Sequence, residues 1–359
     1  FGIFGGGKEV PQLAMARAFK QGDFRSGYYR DQTFMMAIDH LNIDQFFAGL
    51  YAHTDLKADP MTAGRQMGGH FGTHSLDEHG HWNDLTQIKN SSADVSPTAA
   101  QMPRLLGLAQ ASKMYRHLDN LNSFKFSKNG NEVAWGTIGN ASTSEGLFFE
   151  TVNAAGVLQV PMVISIWDDE YGISVDNSYQ TTKSSISEIL KGYQRNNKEK
   201  GFEILSVNGW DYPNLISTFE FASSVARKEH VPVIIHVKDL TQPIGHSTSG
   251  SHERYKSQDR LDWEKKYDCN TKMKEWILEN GLSNIKELDK LEIECKDFVK
   301  KQKRNAWDSF QKVMINERDS LMSVLKTIIS NEKSNETINI TNSLLRLREI
   351  SRRDIISVS

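Results

Sequence analysis

The hydrophobic positions change period along the chain. In the middle third they gather into short apolar runs: Glu132 to Ile138 (EVAWGTI), Val160 to Trp167 (VPMVISIW), Phe202 to Val207, and Val231 to Val237 (VPVIIHV). Runs of this length, ended by Gly or polar residues and rich in Val and Ile, predict strands buried on both faces. Between them the spacing becomes helical. Ser142 to Val157 puts Leu147, Phe148, Val152 and Ala155 on one side, Leu215 to Glu229 predicts another helix, and Ile186 to Tyr193 a short one. The alternation predicts an α/β fold with a mostly parallel sheet and helices on both faces. Upstream, Ile43 to Leu50 and Gln101 to Lys113 are apolar at helical spacing, and Ala58 to Ser96 is a long, polar, Gly-rich loop. Loops of that length in compact domains tend to carry function. Downstream, Trp263 to Trp307 is charged and largely helical, and Asn331 to Thr341 is polar and linker-like.

Composition narrows the class. The chain has 359 residues, with 43 Lys plus Arg against 45 Asp plus Glu, for a net charge of -2. That balance argues against binding nucleic acid by bulk phosphate neutralisation. Two cysteines cannot form a disulfide framework and fit a reducing compartment. No apolar run reaches membrane-spanning length. The opening at Phe1, without Met and inside a Gly-rich stretch, is read as the loss of the true N-terminus. The small motifs lead nowhere further. His70, His74, His79 and His81 match no zinc spacing. Gly5-Gly6-Gly7-Lys8-Glu9 lacks the Gly-Lys-Ser/Thr of a phosphate-binding loop. Ser144-Glu145-Gly146 is not a nucleophile elbow, Lys296 to Arg304 reads as a solvated helix face, and the sequons at Asn335 and Asn339 lack a secretory context.

Two strand ends carry chemistry. In doubly wound sheets, ligands sit beyond the C-terminal ends of the strands. The first such end is Gly139-Asn140-Ala141-Ser142-Thr143-Ser144-Glu145-Gly146, leading into a helix. The second is Trp167-Asp168-Asp169-Glu170-Tyr171-Gly172-Ile173-Ser174. A helix N-terminus favours an anion, and side-chain oxygens on adjacent strand ends can hold a hard cation beside it. The plainer alternative is that Asn140 caps the helix, and Asp168 is either a group supporting the ion's ligands from behind or a solvated turn residue.

With Glu150, Asn153 and Ala154 on the intervening helix and Pro161 opening the next strand, this pair of segments resembles the thiamine-diphosphate fold of 2-oxo acid dehydrogenases. The better match is the alpha subunit of the decarboxylating component, branched-chain enzymes above all. The family has Gly-Asp-Gly and Asn-Asn where this chain has Gly139-Asn140-Ala141 and Asp168-Asp169. Carried over by position, Asn140, Asp169 and the carbonyl of Tyr171 are the expected magnesium ligands, with acid and amide exchanged and the charge facing the ion unchanged. Tyr28-Tyr29-Arg30-Asp31 resembles the Tyr-Arg pair that grips the diphosphate, for which a guanidinium fork suits two phosphate oxygens at once. Taken alone, Arg30 would be read as a surface salt bridge. Ser96-Pro97-Thr98-Ala99-Ala100-Gln101 resembles a cofactor-lining stretch, and Gly64-Arg65-Gln66-Met67 with His70 and Gly72 resembles a segment near the substrate entrance. Val207 to Asp211 resembles a structural turn.

Gly245-His246-Ser247-Thr248-Ser249 with Tyr255-Lys256 resembles the loop bearing an active-site His, which makes His246 the expected catalytic residue, able to shuttle protons near pH 7. Gln242 stands in place of a phosphate-binding Arg, Gly250 of an Asp, and Trp167 of an Arg in some relatives. Ser247 matches a phosphorylation site of mitochondrial relatives and is read as a polar loop residue. The expected cofactor-binding set is therefore Tyr29, Arg30, Ser96, Thr98, Gly139, Asn140, Ala141, Ser142, Asp169, Tyr171, Ile173 and His246, for thiamine diphosphate with Mg2+.

The resemblance implies oxidative decarboxylation of a branched-chain 2-oxo acid or pyruvate, with the acyl group passed to a lipoyl-bearing acyltransferase. It also implies a beta subunit or half carrying the pyrimidine domain, in a dimer of two-part units, with neither nucleic acid nor membrane as partner. Residues 1–325 are then the diphosphate-binding domain and 326–359 a linker or tail toward the missing half. The setting is a bacterial cytoplasm in preference to a mitochondrial matrix. Two alternatives stay open: an acetoin-cleaving or transketolase-like thiamine enzyme, and a non-catalytic scaffold, which the residues Asn140, Ala141, Gln242 and Gly250 motivate.

Overall fold

The computed structural model describes residues 4–66, 69–121, 125–246, 252–332 and 335–359. The chain divides into two compact units, Phe1–Asn42 with Gly68–Lys290, and Ile43–Met67 with Leu291–Ser359. Met67 and the segment Ser247 to Gly250, with the phosphorylation and Asp-replacement readings attached to it, lie outside the described residues.

The first unit is built on a sheet of six strands. These are β1 (Phe24–Ser26), β2 (Asn90–Ser91), β3 (Ala134–Gly139), β4 (Met162–Trp167), β7 (Glu203–Asn208) and β8 (Val233–Lys238). A separate hairpin pairs β5 (Tyr171–Gly172) with β6 (Val175–Asp176). The six-stranded order is β2-β1-β3-β4-β8-β7 and every pairing in it is parallel. The fold is α/β, as the alternation of apolar runs and helical spacing requires.

Side-chain alternation assigns the two faces. Ala134 and Ile138 of β3 and Met162, Ile164 and Ile166 of β4 enter a core with Met102, Leu105 and Ala109 of the Gln101–His117 helix and Phe148, Val152 and Ala155 of the Gly146–Leu158 helix. The intervening Trp135 and Trp167 point the other way. Both rings meet Phe219 of the Tyr212–Glu229 helix, and Trp135 also meets Phe19, just past the Glu9–Ala18 helix. The period-2 switch thus buries β3 and β4 on both sides, whereas the edge strand β7, expected to be buried on both faces, stays largely half-exposed because it has a neighbour on one side only.

The second unit holds the Ile43–Leu50 helix, most of the 48-residue Ile285–Glu332 helix, and the helices Asn335–Arg346 and Arg352–Ile356. Its core is Met314, Met322, Leu325, Leu344, Ile350 and Ile355. The polar stretch expected to read as a linker is helical up to Glu332 and again from Asn335. Its apolar positions Ile338 and Ile340 keep helical spacing with Leu344 and Leu345, a pattern the high polar content of the stretch conceals. Among the described residues no helix is long and apolar enough to cross a membrane.

Candidate functional site

Four parallel strands deliver their C-terminal ends to one hollow of about 430 Å³. After β1 come Tyr28, Tyr29 and Arg30. After β3 come Asn140, Ala141 and Ser142. After β4 come Asp169, Tyr171, Gly172 and Ile173, and beyond β8 comes His246. Gly139, Trp167, Thr98, Glu145 and Gln180 complete the wall together with Lys8, which precedes the first helix. Of the expected residues, Tyr29, Arg30, Thr98, Gly139, Asn140, Ala141, Ser142, Asp169, Tyr171, Ile173 and His246 share this lining. Ser96 is exposed and outside it, with its Oγ 3.0 Å from His70 Nε2.

Asn140 does not cap the helix. Its side chain makes no capping bond to the short turn Ala141–Ser144, and the Gly146–Leu158 helix starts from Glu145. The Asn140 backbone N–H donates to Trp167 O at 3.1 Å, and its carbonyl accepts from Thr143 Oγ1 at 2.6 Å. The side chain is thereby left at the hollow, 4% exposed, with a buried Nδ2 that has no hydrogen-bond partner among the described residues. A buried donor without an acceptor costs about 1–3 kcal/mol and marks a place where an acceptor belongs.

Asp168 and Asp169 part company. Asp168 is buried; it accepts from His236 Nε2 at 2.8 Å and from the Glu170 N–H at 2.8 Å, so it ties the turn to β8 and is no solvated residue. Asp169 faces the hollow. Lys8 Nζ donates to its Oδ2 at 2.8 Å, while His246 Nε2 lies 3.1 Å from Oδ2 and 3.2 Å from Oδ1. Burial alone would disfavour the Asp169 charge, but Lys8 and His246 outweigh it and hold the carboxyl far below the usual carboxylate range.

Lys8 is the residue that sequence reasoning missed. It is 1% exposed, and besides Asp169 its ammonium donates to Gln242 Oε1 at 2.7 Å and to Thr241 O at 3.1 Å. Gly7 makes this possible: its φ is +83, and a Cβ there would sit 2.3 Å from Thr241 O. Gln242, expected as a lost cation, is wholly buried as an acceptor for Lys8. The one signal in the sequence was a lysine directly after three glycines, in a chain whose acid stands at 169.

Arg30 is 5% exposed, so the surface salt-bridge alternative fails. Its two terminal nitrogens donate to Phe4 O and His246 O, each at 2.8 Å, and its guanidinium lies over the Tyr29 ring. Arg260 Nη2 donates to the Asp169 carbonyl at 3.1 Å and its side chain pairs with Glu170, which fixes the β4 loop. The following hairpin turn holds Ile173 at φ 58 with 59% exposure, a left-handed conformation that is unusual for a β-branched residue. Among the described residues no group of three His, Cys, Asp or Glu is placed to hold a metal. The second unit has a hollow of about 450 Å³, but aromatic and aliphatic side chains of Tyr51, Trp307, Phe310 and Met314 dominate its wall.

A parallel α/β sheet with cationic and amide groups converging beyond its strand ends is an arrangement suited to an anionic ligand or cofactor. The family model of the dehydrogenase E1 component matches residues 1–313. The chain belongs to that family, which in general depends on thiamine diphosphate. Within it the likeness is to alpha subunits. The 2-oxoisovalerate dehydrogenase subunit alpha of Bacillus subtilis (strain 168) is 26% identical over 277 residues, covering 77% of this chain and 72% of that one. The mitochondrial 2-oxoisovalerate dehydrogenase subunit alpha of Homo sapiens is 26% identical over 277 residues, 77% of this chain and 53% of that one. The pyruvate dehydrogenase E1 component subunit alpha of Rickettsia bellii is 25% identical over 202 residues, 56% of this chain and 55% of that one. The matched region thus spans most of the Bacillus subunit and about half of the other two.

Proposed function

We propose that this chain is the diphosphate-holding alpha part of a thiamine-dependent enzyme that oxidatively decarboxylates a 2-oxo acid, branched-chain or pyruvate, and passes the acyl group to a lipoyl-bearing acyltransferase. The observation that carries the reading is the convergence of Arg30, the Asn140–Ser142 segment, Asp169 and His246 on one hollow at the strand ends, in a member of the E1 family. The cofactor, when bound, supplies the electron sink for loss of carbon dioxide.

The chain's own residues would bind and orient. The Arg30 fork is held in place by two carbonyls and a ring, so little side-chain freedom is left to lose on meeting phosphate oxygens. The Asn140 Nδ2 donor lacks an acceptor, which a phosphate oxygen would supply. Donation from His246 Nε2 to Asp169 leaves Nδ1 as the ring nitrogen free to take or give a proton. Asn140, Asp169 and the Tyr171 carbonyl are the residues that would hold magnesium. They are oxygen donors of the right type, but the acid among them is already paired with Lys8. The site therefore fits such an ion in donor type and not in charge.

The remaining half, with the pyrimidine domain, would come from a beta subunit or half, in a dimer of two-part units, so the isolated chain is expected not to turn over. Rates of lipoamide reduction with pyruvate, 2-oxoisovalerate and 2-oxoglutarate, measured with and without that part, test the proposal. Reduction with one of the first two acids, and only when both parts are present, is expected. Turnover by the chain alone, or carbon dioxide release with no lipoamide reduced, would refute it.

A further inference from the structure

We propose that Lys8 neutralises Asp169 at the diphosphate site, so that cofactor binding in this protein depends little on a divalent ion. The inference rests on the reading of the hollow as a diphosphate site and deepens it.

The geometry of the ammonium is the starting point. Its three protons are matched by three acceptors, Asp169 Oδ2, Gln242 Oε1 and Thr241 O. No proton is left over for a bound phosphate, so Lys8 acts through charge and not as a direct ligand. Its charge is spent on Asp169, the only acid among the expected metal ligands. With Asn140 neutral and Asp169 paired, the expected ligands offer a cation no net negative charge; the other carboxylate of the lining is Glu145, which is exposed.

The Asp169 oxygens are committed as well. Oδ2 accepts from Lys8, Oδ1 from the Tyr171 N–H at 3.3 Å, and the His246 ring reaches both. Two atoms of lining residues lack a hydrogen-bond partner among the described residues, Asn140 Nδ2 and His246 Nδ1, and both are buried. A metal ligand site should expose spare carboxylate oxygens, and the one acid among the expected ligands has none to spare. Lys8 is also tied to its place by the backbone, because Gly7 can approach Thr241 only without a side chain.

Calorimetric titration of the full protein, assembled with its beta part, with thiamine diphosphate in excess magnesium and again in EDTA tests this. The wild-type dissociation constant is expected to change by less than about threefold. Asn140→Asp adds a carboxylate without disturbing the buried pair, and Lys8→Gln frees the existing one. A unit charge about 4 Å from a divalent ion is worth roughly thirtyfold even at the screening of bulk water. Each variant should therefore acquire a magnesium dependence of about that size, with circular dichroism confirming that it is folded. A wild-type protein that loses binding thirtyfold on chelation overturns the proposal. So does an Asn140→Asp variant as indifferent to magnesium as the wild type. Absence of binding to the wild type in both conditions refutes the diphosphate reading itself, a different and recognisable failure.

Discussion

The buried pair between Lys8 and Asp169 gives the sharpest stability prediction. The perturbation is Lys8→Met, which keeps the length of the side chain and removes its charge. Three acceptors then lose their donor: Asp169 Oδ2, Gln242 Oε1 and Thr241 O. Both charged partners are almost fully buried, with side-chain exposures of 1% and 3%. Removing one partner of such a pair typically costs about 3–5 kcal/mol, chiefly because the other charge is stranded. Here the Tyr171 N–H and the His246 ring still face the carboxylate, so the low end, about 3 kcal/mol, is expected. Asp169→Asn on its own strands the ammonium, and a similar loss follows. The double variant strands neither charge and should lose much less than the sum of the single changes, giving a coupling of about 2 kcal/mol or more. Urea denaturation followed by fluorescence at pH 7 measures all four proteins. If the two losses add within about 0.5 kcal/mol, the two side chains do not act as a pair and the electrostatic account of the hollow is wrong.

Gly7→Ala should destabilise by about 2 kcal/mol or more, since φ is +83 and the new Cβ would meet Thr241 O at 2.3 Å; a melting temperature within a degree of wild type would contradict this. His230 sits in a left-handed conformation after the Tyr212–Glu229 helix, and burial lowers its pKa from 6.5 to about 4. The unfolded chain takes up this proton below about pH 6.5 and the native protein only near pH 4, so the contribution is intact above the first value and fades as pH falls toward the second. Its size is at most about 3 kcal/mol, reduced by solvent screening. His230→Asn, which tolerates the same backbone conformation, should flatten the stability profile between pH 4 and 6.5. His246→Asn, assayed with the beta part present, should lower kcat by roughly a hundredfold, with circular dichroism confirming that it is folded; a full-rate variant would remove His246 from the proton path.

How much of this was legible beforehand depended on the range of the interactions involved. The four longer strands announced themselves by unbroken apolar runs, and their observed bounds lie within two residues of the runs. The two-residue β2 and three-residue β1 were invisible. Strands so short have no period of their own and exist because neighbours pair with them. Eleven of the twelve expected cofactor residues share one hollow because the strand ends bearing them are fixed by sheet order, whereas Ser96, on a loop, turns toward His70.

The amino-acid sequence alone determined the α/β class, the strand ends where chemistry gathers and the family kinship, because these rest on local periodicity and on short contiguous motifs. Only the tertiary structure decided that Lys8, 161 residues before Asp169, neutralises it. An ion pair across that distance leaves no periodic trace, and whether a lysine is solvated or buried against an acid is settled by packing, not by its neighbours in the chain.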